Sequence, residues 1–227
     1  MKILLIADHE EKALWDDWND RTARELSDVG LILSAGDLDA DYLEYLVTML
    51  NVPLVYVRGN HDGSYDKKPP EGCINADGRI VDVGCGRRGA KQTVRILGLG
   101  GSMRYRDNAG DMYTEREMKS RVAKLKKGMF RDTVAGRLDR GRRGEIDILL
   151  THAPCRGYGD MSDVAHTGFE CFDQLIRKHR PKLHVYGHVH LEYGPDRGGS
   201  EGGFSRMITH PAGTQMINAS GYYITEL

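Results

Sequence analysis

The 227-residue sequence predicts an α/β fold in which two β-sheets pack together and helices flank them. Seven short apolar runs between residues 3 and 186 have the length and the β-branched composition of buried strands. Helical segments separate several of these runs, whereas three further strand-like segments crowd together near the end of the sequence. Early alternation of strands with helices, followed by consecutive strands, is typical of an α/β sandwich.

The ten predicted strands are short and mostly apolar. In chain order they are Ile3 to Ala7, Leu31 to Ala35, Leu54 to Val57, Ile80 to Val83, Val94 to Leu99, Ile146 to Leu150, Leu183 to Tyr186, Met207 to Thr209, Gln215 to Asn218 and Tyr222 to Thr225. The Gly-rich stretches 84–89 and 194–203 are predicted to be surface connections between strands.

Three helices are predicted from their capping signals. Each begins with a polar cap followed three residues later by Glu, which is the capping-box pattern, and each ends at a helix-breaking residue. The cap pairs are Asp41 with Glu44, Thr114 with Glu117 and Thr167 with Glu170, and the corresponding stops are Pro53, Gly128 and Pro181. Apolar residues recur on one face of each segment, so each helix is expected to pack against a sheet.

Length and composition predict a single domain over residues 1–227, with a basic helical insertion at about residues 103–146. The net charge of −1 argues against a globally basic surface for nucleic acid. The four cysteines are far apart and form no CxxC pair, which favours reduced thiols. The apolar N-terminal stretch is too short for a signal peptide, and no apolar run approaches ~20 residues. We therefore expect a soluble, cytoplasmic protein.

Five polar segments follow predicted strands by one or two residues. They are Asp8 to Glu10, Gly36-Asp37, Gly59 to Asp62, His152, and His188 to His190. In open α/β sheets the ligand site lies beyond the carboxyl ends of the strands, where loops turn polar side chains inward. Asp, Asn and His supply mixed oxygen and nitrogen donors that suit borderline divalent ions. The five segments therefore predict a metal site at one edge of the sandwich.

Asp37 is the residue placed to bridge two ions. Its two carboxylate oxygens can each bind one ion at the ~3.5–4 Å separation of two-metal hydrolytic sites. Asp8 and His190 are then expected to complete the shell of one ion, and the other ion is expected to take Asn60, His152 and His188. We expect two divalent ions, with Mn or Fe favoured and Zn, Co or Ni also suited to these donors.

These segments resemble the motifs of the calcineurin-like metallophosphoesterases. The similarity lies in the order of GD at 36–37, GNHD at 59–62, the histidine of THAP at 152 and GHVH at 187–190, and it spans Met1 to about His190. The resemblance implies a four-layer αββα sandwich of two mixed β-sheets flanked by helices, a dinuclear centre and hydrolysis of phosphate esters. Matched residue by residue, it implies that the metal ligands are Asp8, Asp37, Asn60, His152, His188 and His190, and that His61 lies beside the scissile phosphate.

The first segment departs from the pattern of this family. The family opens with Asp-x-His, whereas this chain reads Asp8-His9-Glu10, so that a glutamate stands where histidine is expected. Glu10 is favoured as a direct ligand, because alternate residues at the end of a strand point to the same side. Two alternatives stay open: His9 swings in through an altered loop, or the first ion is weakly held. A Glu10 ligand would enrich the shell in oxygen and favour Mn or Fe.

The expected mechanism is hydrolysis by a metal-bridging hydroxide. Two cations lower the pKa of a bridging water and polarise the phosphoryl oxygens. His61 is then expected to hydrogen-bond the phosphoryl group or to protonate the leaving alkoxide. Asp62 either orients His61 or is an ordinary loop acid.

Arg104 is predicted to bind substrate, because it closely follows the Gly-Gly-Ser turn and its planar guanidinium can clamp a phosphate. The surrounding segment from Met103 to Ile146 holds thirteen Lys or Arg against seven Asp or Glu. It forms either a basic wall that attracts phosphorylated substrates or an ordinary solvated helix with pairs such as Glu117 with Arg121. Aromatic residues do not alternate with the basic ones, so we expect a small phosphorylated substrate rather than nucleic acid or a membrane.

Three functions fit the sequence. A metal-dependent phosphoesterase of a small molecule, with a phosphodiester favoured, comes first. A serine/threonine-type protein phosphatase comes second, because the chain reads GDLDADY from residue 36 and lacks the Asp-Arg-Gly continuation. A non-catalytic metal-binding scaffold of the same fold comes third, and the presence of His61 argues against it.

Overall fold

The computed structural model describes residues 1–86, 92–107, 110–136, 141, 144–191 and 205–227. The described strands, in chain order, are β1 Lys2–Ala7, β2 Val29–Ser34, β3 Leu54–Tyr56, β4 Ile74–Asn75, β5 Arg79–Cys85, β6 Gln92–Leu99, β7 Ser102–Met103, β8 Met112–Tyr113, β9 Ile148–Thr151, β10 Leu183–Tyr186, β11 Met207–Thr209, β12 Gln215–Asn218 and β13 Gly221–Glu226. The described α-helices are α1 Asp20–Glu25, α2 Ala40–Leu50, α3 Glu115–Val134 and α4 Glu170–His179. Two short 3-10 helices cover Lys12–Leu14 and Asp62–Asp66.

Two large mixed sheets form the centre of the molecule. The first sheet has the order β13-β1-β2-β3-β4, in which β13 is antiparallel to β1 and the remaining pairs are parallel. The second has the order β11-β12-β10-β9-β6-β5, with antiparallel edge strands β11 and β5 around a parallel centre. Strands β7 and β8 pair separately. Each of the ten predicted strands overlaps an observed strand.

Apolar residues on both faces of the sheets produce four layers. Ile3 and Leu5 of β1 face Ile148 of β9 in the core between the sheets. Leu4 of β1 lies in a second cluster, in which α2 packs against the outer face of the first sheet. A third cluster places α3 and α4 against the outer face of the second sheet. Parallel strands buried on both faces are expected in such a layered fold. The predicted αββα sandwich is confirmed.

The helix boundaries correct three details of the prediction. The N-cap of α2 is Asp39 instead of Asp41, so the helix begins earlier than the capping-box pattern indicated. Helix α3 begins at the predicted box but runs past Gly128, the predicted stop. Helix α4 begins at Glu170, and the hydroxyl of Thr167 donates to backbone carbonyls, instead of capping the helix.

The two sheets bring their strand ends to one edge of the molecule. His188, in the loop after β10, donates its backbone N–H to the carboxylate of Asp8, in the loop after β1. The predicted basic insertion at 103–146 contains α3, and its residues 108–109, 137–140 and 142–143 lie outside the described residues. The predicted Gly-rich connection at 194–203 also lies outside them, as does part of the one at 84–89.

Candidate metal centre and active-site cleft

Asp8 and His188 occupy two facing γ-turns between the sheets. Asp8 has φ 64°, and the N–H of His9 donates to the carbonyl of Ala7 at 2.7 Å. His188 has φ 68°, and the N–H of Val189 donates to the carbonyl of Gly187 at 2.8 Å. A γ-turn with positive φ is rare and strained. Strained backbone at a strand end re-aims a side chain, and it clusters at functional sites.

Asp37 also has a left-handed backbone, with φ 57°, and its carboxylate lies at the centre of the cluster. Oδ1 accepts the backbone N–H of His61 at 2.8 Å, and Oδ2 lies 3.4 Å from Nε2 of His152. A Cβ added at Gly59 would come within 1.9 Å of Oδ1 of Asp37, so only glycine allows this close approach. Burial opposes ionisation of Asp37, but the charge of His152 and these hydrogen bonds lower its pKa below the usual range.

His152 is fully buried and holds a ring nitrogen against two oxygens. Its Nδ1 lies 2.8 Å from the carbonyl of Ala35 and must donate, because a carbonyl only accepts. Its Nε2 then faces Oδ1 of Asn60 at 3.0 Å and Oδ2 of Asp37 at 3.4 Å. Burial alone would lower the pKa of His152, but the charge and hydrogen bond of Asp37 raise it to about 9. The position therefore favours a positive charge, which either a proton or a divalent cation can supply.

His188 is held as a neutral imidazole that can bind a cation. Its Nε2 donates to the carbonyl of Ala165 at 2.8 Å, so the lone pair lies on Nδ1. Burial, assisted by the charge of His152, lowers the pKa of His188 to about 3. Ligand atoms of Asp37, His152 and His188 lie within 4.8 Å of one another, and these residues are the one three-donor group found in the described part of the chain. Two imidazoles and a carboxylate suit a borderline divalent ion.

In the first polar segment, His9 and Glu10 contact different parts of the structure. His9 lies beside His190, with ring centroids 4.6 Å apart and an interplanar angle of 74°. Oε1 of the exposed Glu10 accepts the backbone N–H of Asp39 at 3.0 Å. Burial lowers the pKa of His190, as do the charges of nearby histidines including His9. The structure thus brings Asp8 and His190 to the predicted edge, and the assignment of Glu10 as a ligand stays a prediction.

The GNHD segment presents His61 to solvent and keeps Asp62 inside. His61 is exposed, whereas one oxygen of Asp62 accepts the backbone N–H of Gly59 at 2.7 Å and that of Asp37 at 3.0 Å. Burial raises the pKa of Asp62 to about 6. Asp62 therefore ties the backbones of the GD and GNHD loops together. In the described hydrogen bonds its carboxylate does not contact the imidazole of His61.

Two clefts meet at Asp8, Asp37 and His61. One has a volume of about 440 Å³ and lies toward His9 and Glu10. The other has a volume of about 380 Å³, and its further lining residues are Tyr105, Ala165, His166, His188 and His190. Clefts of this size hold a small ligand or one part of a larger one.

Tyr105 and His166 are cleft residues that the sequence did not single out for a role. Nδ2 of Asn60 donates to the hydroxyl of Tyr105 at 3.4 Å. The ring of His166 lies 5.2 Å from that of His188, and its Nδ1 is bonded to Asp163 at 2.9 Å. Neither residue follows a predicted strand or belongs to a motif. The only signal in the sequence was the position of His166 in the loop after His152.

The side chain of Arg104 binds neighbouring parts of the chain. Its guanidinium donates to the carbonyl of Met112 at 3.2 Å and pairs with Glu117 at 3.0 Å. Among the described residues that line the clefts, Arg104 does not occur. Arg121 pairs with Asp77, and Glu117 pairs with Arg104. These two ion pairs replace the expected pair of Glu117 with Arg121. Binding of substrate by Arg104 stays a prediction.

Comparison with known proteins gives a family match and two partial sequence matches. A model of the calcineurin-like phosphoesterases matches residues 1–192. One UPF0046 protein of Caenorhabditis elegans is 41% identical over 51 residues, which are 22% of this chain and 13% of that protein. A second UPF0046 protein of the same organism is 36% identical over 56 residues, which are 22% of this chain and 20% of that protein. The chain thus spans a fifth or less of the length of these curated relatives.

Solved structures share the fold at low sequence identity. One has a TM-score of 0.58 at 13% identity and covers 98% of this chain and 93% of its own. TT1561 of Thermus thermophilus has a TM-score of 0.53 at 14% identity and covers 97% of this chain and 89% of its own. At such identities the likeness concerns the fold. Of the helices that the structure describes, none combines the length and apolar character that crossing a bilayer requires.

Proposed function

The chain belongs to the calcineurin-like phosphoesterase family, whose model matches residues 1–192, and from this premise we propose that it hydrolyses a small phosphate ester with two divalent ions. The observation that carries the proposal is the carboxylate of Asp37. It lies at the junction of both clefts, with His152 against one oxygen and the N–H of His61 on the other. A carboxylate so placed suits the bridging role in a two-metal site.

The donor set fits the ions that the proposal requires. Asp37, Asn60, His152 and His188 would hold one ion, and Asp8, Asp37 and His190 would contribute to the other. Bound there, divalent ions would polarise phosphoryl oxygens and would lower the pKa of an attacking water. Mixed nitrogen and oxygen donors suit Mn, Fe, Co, Ni or Zn. We retain Mn or Fe as the expected ions for the proposal.

His61 is the proposed proton donor to the leaving group. It is exposed and lines both clefts, so its imidazole can reach a substrate that enters from solvent. The hydrogen bond from its backbone to Asp37 holds it close to the bridging carboxylate. Asp62 supports this arrangement by accepting backbone N–H groups from the GD loop and the GNHD loop. A positioned general acid contributes ~10²–10⁴-fold to such a reaction.

The charges around the clefts support a phosphodiester as the substrate. No Lys or Arg occurs among the described residues that line either cleft, whereas Asp8, Asp37 and Asp62 do. A phosphomonoester carries a charge of about −1.5 to −2 near neutral pH, whereas a diester carries about one negative charge. With the two ions bound to Asp8 and Asp37, no Lys or Arg of the described cleft lining would remain to offset the second negative charge of a monoester, so a diester is the better match. For Arg104 to bind the phosphate, its guanidinium would have to reach a cleft whose described lining does not include it.

Metal analysis and two chromogenic esters test the proposal. The purified protein, stripped with chelator and reloaded with Mn²⁺, is expected to hydrolyse bis(p-nitrophenyl) phosphate faster than p-nitrophenyl phosphate. His61→Ala should lower kcat by ~10²–10⁴-fold for a diester with an alkyl leaving group, because the alkoxide then departs unprotonated. Hydrolysis of the nitrophenyl esters should fall less, since nitrophenolate is weakly basic and leaves without a proton. The matched control is His179→Gln, since His179 lies at the end of α4 and lines neither cleft.

The outcomes separate the alternative functions. Hydrolysis of a phosphoserine peptide in preference to both nitrophenyl esters would favour a protein phosphatase. Tight metal binding without hydrolysis of any ester would favour a scaffold. The enzyme proposal fails if no divalent ion supports hydrolysis and His61→Ala behaves as the wild type does.

A further inference from the structure

The carboxylate of Glu10 is committed to the start of a helix. Asp39 is the N-cap residue of α2, and its backbone N–H donates to Oε1 of Glu10 at 3.0 Å. The side chain of Asp39 makes no capping hydrogen bond of its own. A negative charge at this position also interacts favourably with the positive end of the helix dipole. Glu10 thus has a structural role at the start of α2.

His9 takes the position beside His190. The ring centroids of His9 and His190 are 4.6 Å apart. The rings of His152 and His188, whose ligand atoms belong to the three-donor group with Asp37, have centroids 4.8 Å apart. The two pairs are therefore spaced alike. His9 is exposed, so its ring can turn about its side-chain bonds toward a shared ion without disturbing the core.

The γ-turn at Asp8 explains why the strand alternation fails at this point. Strand β1 ends at Ala7, and the hydrogen bond from the N–H of His9 to the carbonyl of Ala7 reverses the chain within three residues. The rule that residues i and i+2 share a face applies to extended chain. With φ 64° at Asp8, the chain leaves the extended conformation, so the rule does not extend to Glu10.

We infer that His9, and not Glu10, is the ligand that completes a second cation site with Asp8 and His190. The inference rests on the proposed function, because that function supplies the second ion. Asp37 would bridge to this site from the first. Each ion would then have two imidazoles and two oxygen donors from the protein. Such matched shells suit Zn, Co or Ni as well as Mn and Fe.

Ordinary edge-to-face ring packing is the competing explanation of the contact between His9 and His190. His9→Phe separates the two explanations, because phenylalanine retains the ring and removes the nitrogen. His9→Gln is a second variant of smaller volume. Glu10→Gln is the matched control, since its amide oxygen can still accept the N–H of Asp39 while the carboxylate is lost.

Metal stoichiometry measured by equilibrium dialysis with Mn²⁺ is the readout, supported by the electron paramagnetic resonance spectrum. Wild type and Glu10→Gln should bind two ions per chain, with the broadened spectrum of a coupled pair. His9→Phe and His9→Gln should bind one ion tightly and give the resolved spectrum of an isolated ion. Their second ion should bind more weakly by at least the ~10–100-fold that loss of an outer-shell partner costs.

The inference is overturned if His9→Phe and His9→Gln bind two ions as the wild type does, or if Glu10→Gln alone loses the second ion. It is also overturned if the wild type holds a single ion at saturating Mn²⁺. The first two outcomes leave the proposed hydrolysis intact, whereas a single ion in the wild type would also remove the second ion from the proposed function. The proposed hydrolysis itself fails if fully loaded wild type hydrolyses neither ester. A protein that hydrolyses the diester and retains two ions without His9 would keep its function and refute the inference.

Discussion

His184 is a histidine of the core whose hydrogen bonds fix its protonation. Its Nε2 lies 2.8 Å from the hydroxyl of Thr151, and that hydroxyl donates to the carbonyl of Ala153 at 2.6 Å. A hydroxyl has one proton, so Nε2 of His184 must be the donor. The remaining Nδ1 is buried and has no hydrogen-bond partner in the described part of the chain. Burial, with a smaller effect of His210, lowers the pKa of His184 to about 3.

This lowered pKa predicts a loss of stability in acid. Between pH ~6.5 and ~3, the unfolded chain binds a proton at this position and the folded chain does not. The free energy of unfolding should therefore fall as the pH falls, with a slope of up to ~1.4 kcal/mol per pH unit from this one group. Urea unfolding of the wild type and of His184→Gln at several pH values measures this slope. The variant should show a shallower slope, and equal slopes in the two proteins would refute the prediction.

At the scale of elements, α3 caps α4 across the outer face of the second sheet. The carboxylate of Glu115, in the first turn of α3, accepts the backbone N–H groups of Glu170 at 3.0 Å and Cys171 at 2.9 Å. These are N–H groups of the first turn of α4, which have no partner within the helix. Thr114 and Glu117 form a reciprocal capping box at the start of α3 itself. One helix start thus supports the other.

Removal of this cross-helix cap should cost stability. Glu115→Ala is expected to lower the free energy of unfolding by about 0.5–2 kcal/mol, as loss of a helix cap does. Glu115→Gln should have a smaller effect, because one amide oxygen can still accept. The control is Glu25→Ala, at an exposed position in α1. Urea unfolding measures all three variants, and equal losses for Glu115→Ala and Glu25→Ala would contradict the role of the cap.

The elements show which parts of the fold the sequence could predict. Strand β10 lies at its predicted bounds, because a buried run of four apolar or aromatic residues between breakers is distinctive. Helix starts were less predictable. The cap of α4 comes from Glu115, which is distant in the chain, so the local pair of Thr167 with Glu170 was a false signal. Gly128 did not stop α3, since a single glycine costs a helix only ~1 kcal/mol.

The candidate site was likewise predictable only in part. Asp37, Asn60 and His152 were predictable, because polar donors directly after apolar strands stand out in the sequence. The backbone carbonyls of Ala35 and Ala165, which fix the two imidazoles, carry no side-chain signal. Likewise, γ-turns that redirect the chain cannot be derived from residue type when the residue in them is not glycine.

For the whole molecule, the site lies across the join between the two sheets. Asp8, Asp37 and Asn60 follow strands of the first sheet, whereas His152 and His188 follow strands of the second. An ion held by both groups would connect the sheets in the way a cross-link does. Because it binds the folded chain in preference to the unfolded one, it should stabilise the whole fold.

Metal should therefore raise the melting temperature. At a free ion concentration ~100 times the Kd, one site contributes ~2.7 kcal/mol to the free energy of unfolding. Differential scanning calorimetry with Mn²⁺ and with chelator measures the shift. In His152→Ala the shift should shrink strongly, whereas in His179→Gln it should match the wild type. A shift of equal size in His152→Ala would place the stabilising ion elsewhere.

The hydrogen bond between His188 and Asp8 joins residues 180 positions apart in the chain. Contacts of such separation form late, since the entropy of closing a long loop must be overcome before the contact is made. During synthesis on a ribosome, Asp8, Asp37 and Asn60 emerge well before His152 and His188. A nascent chain therefore cannot bring His152 and His188 to the site until the second sheet has its central strands. Metal binding would therefore mark the completion of folding in the cell and would not initiate it.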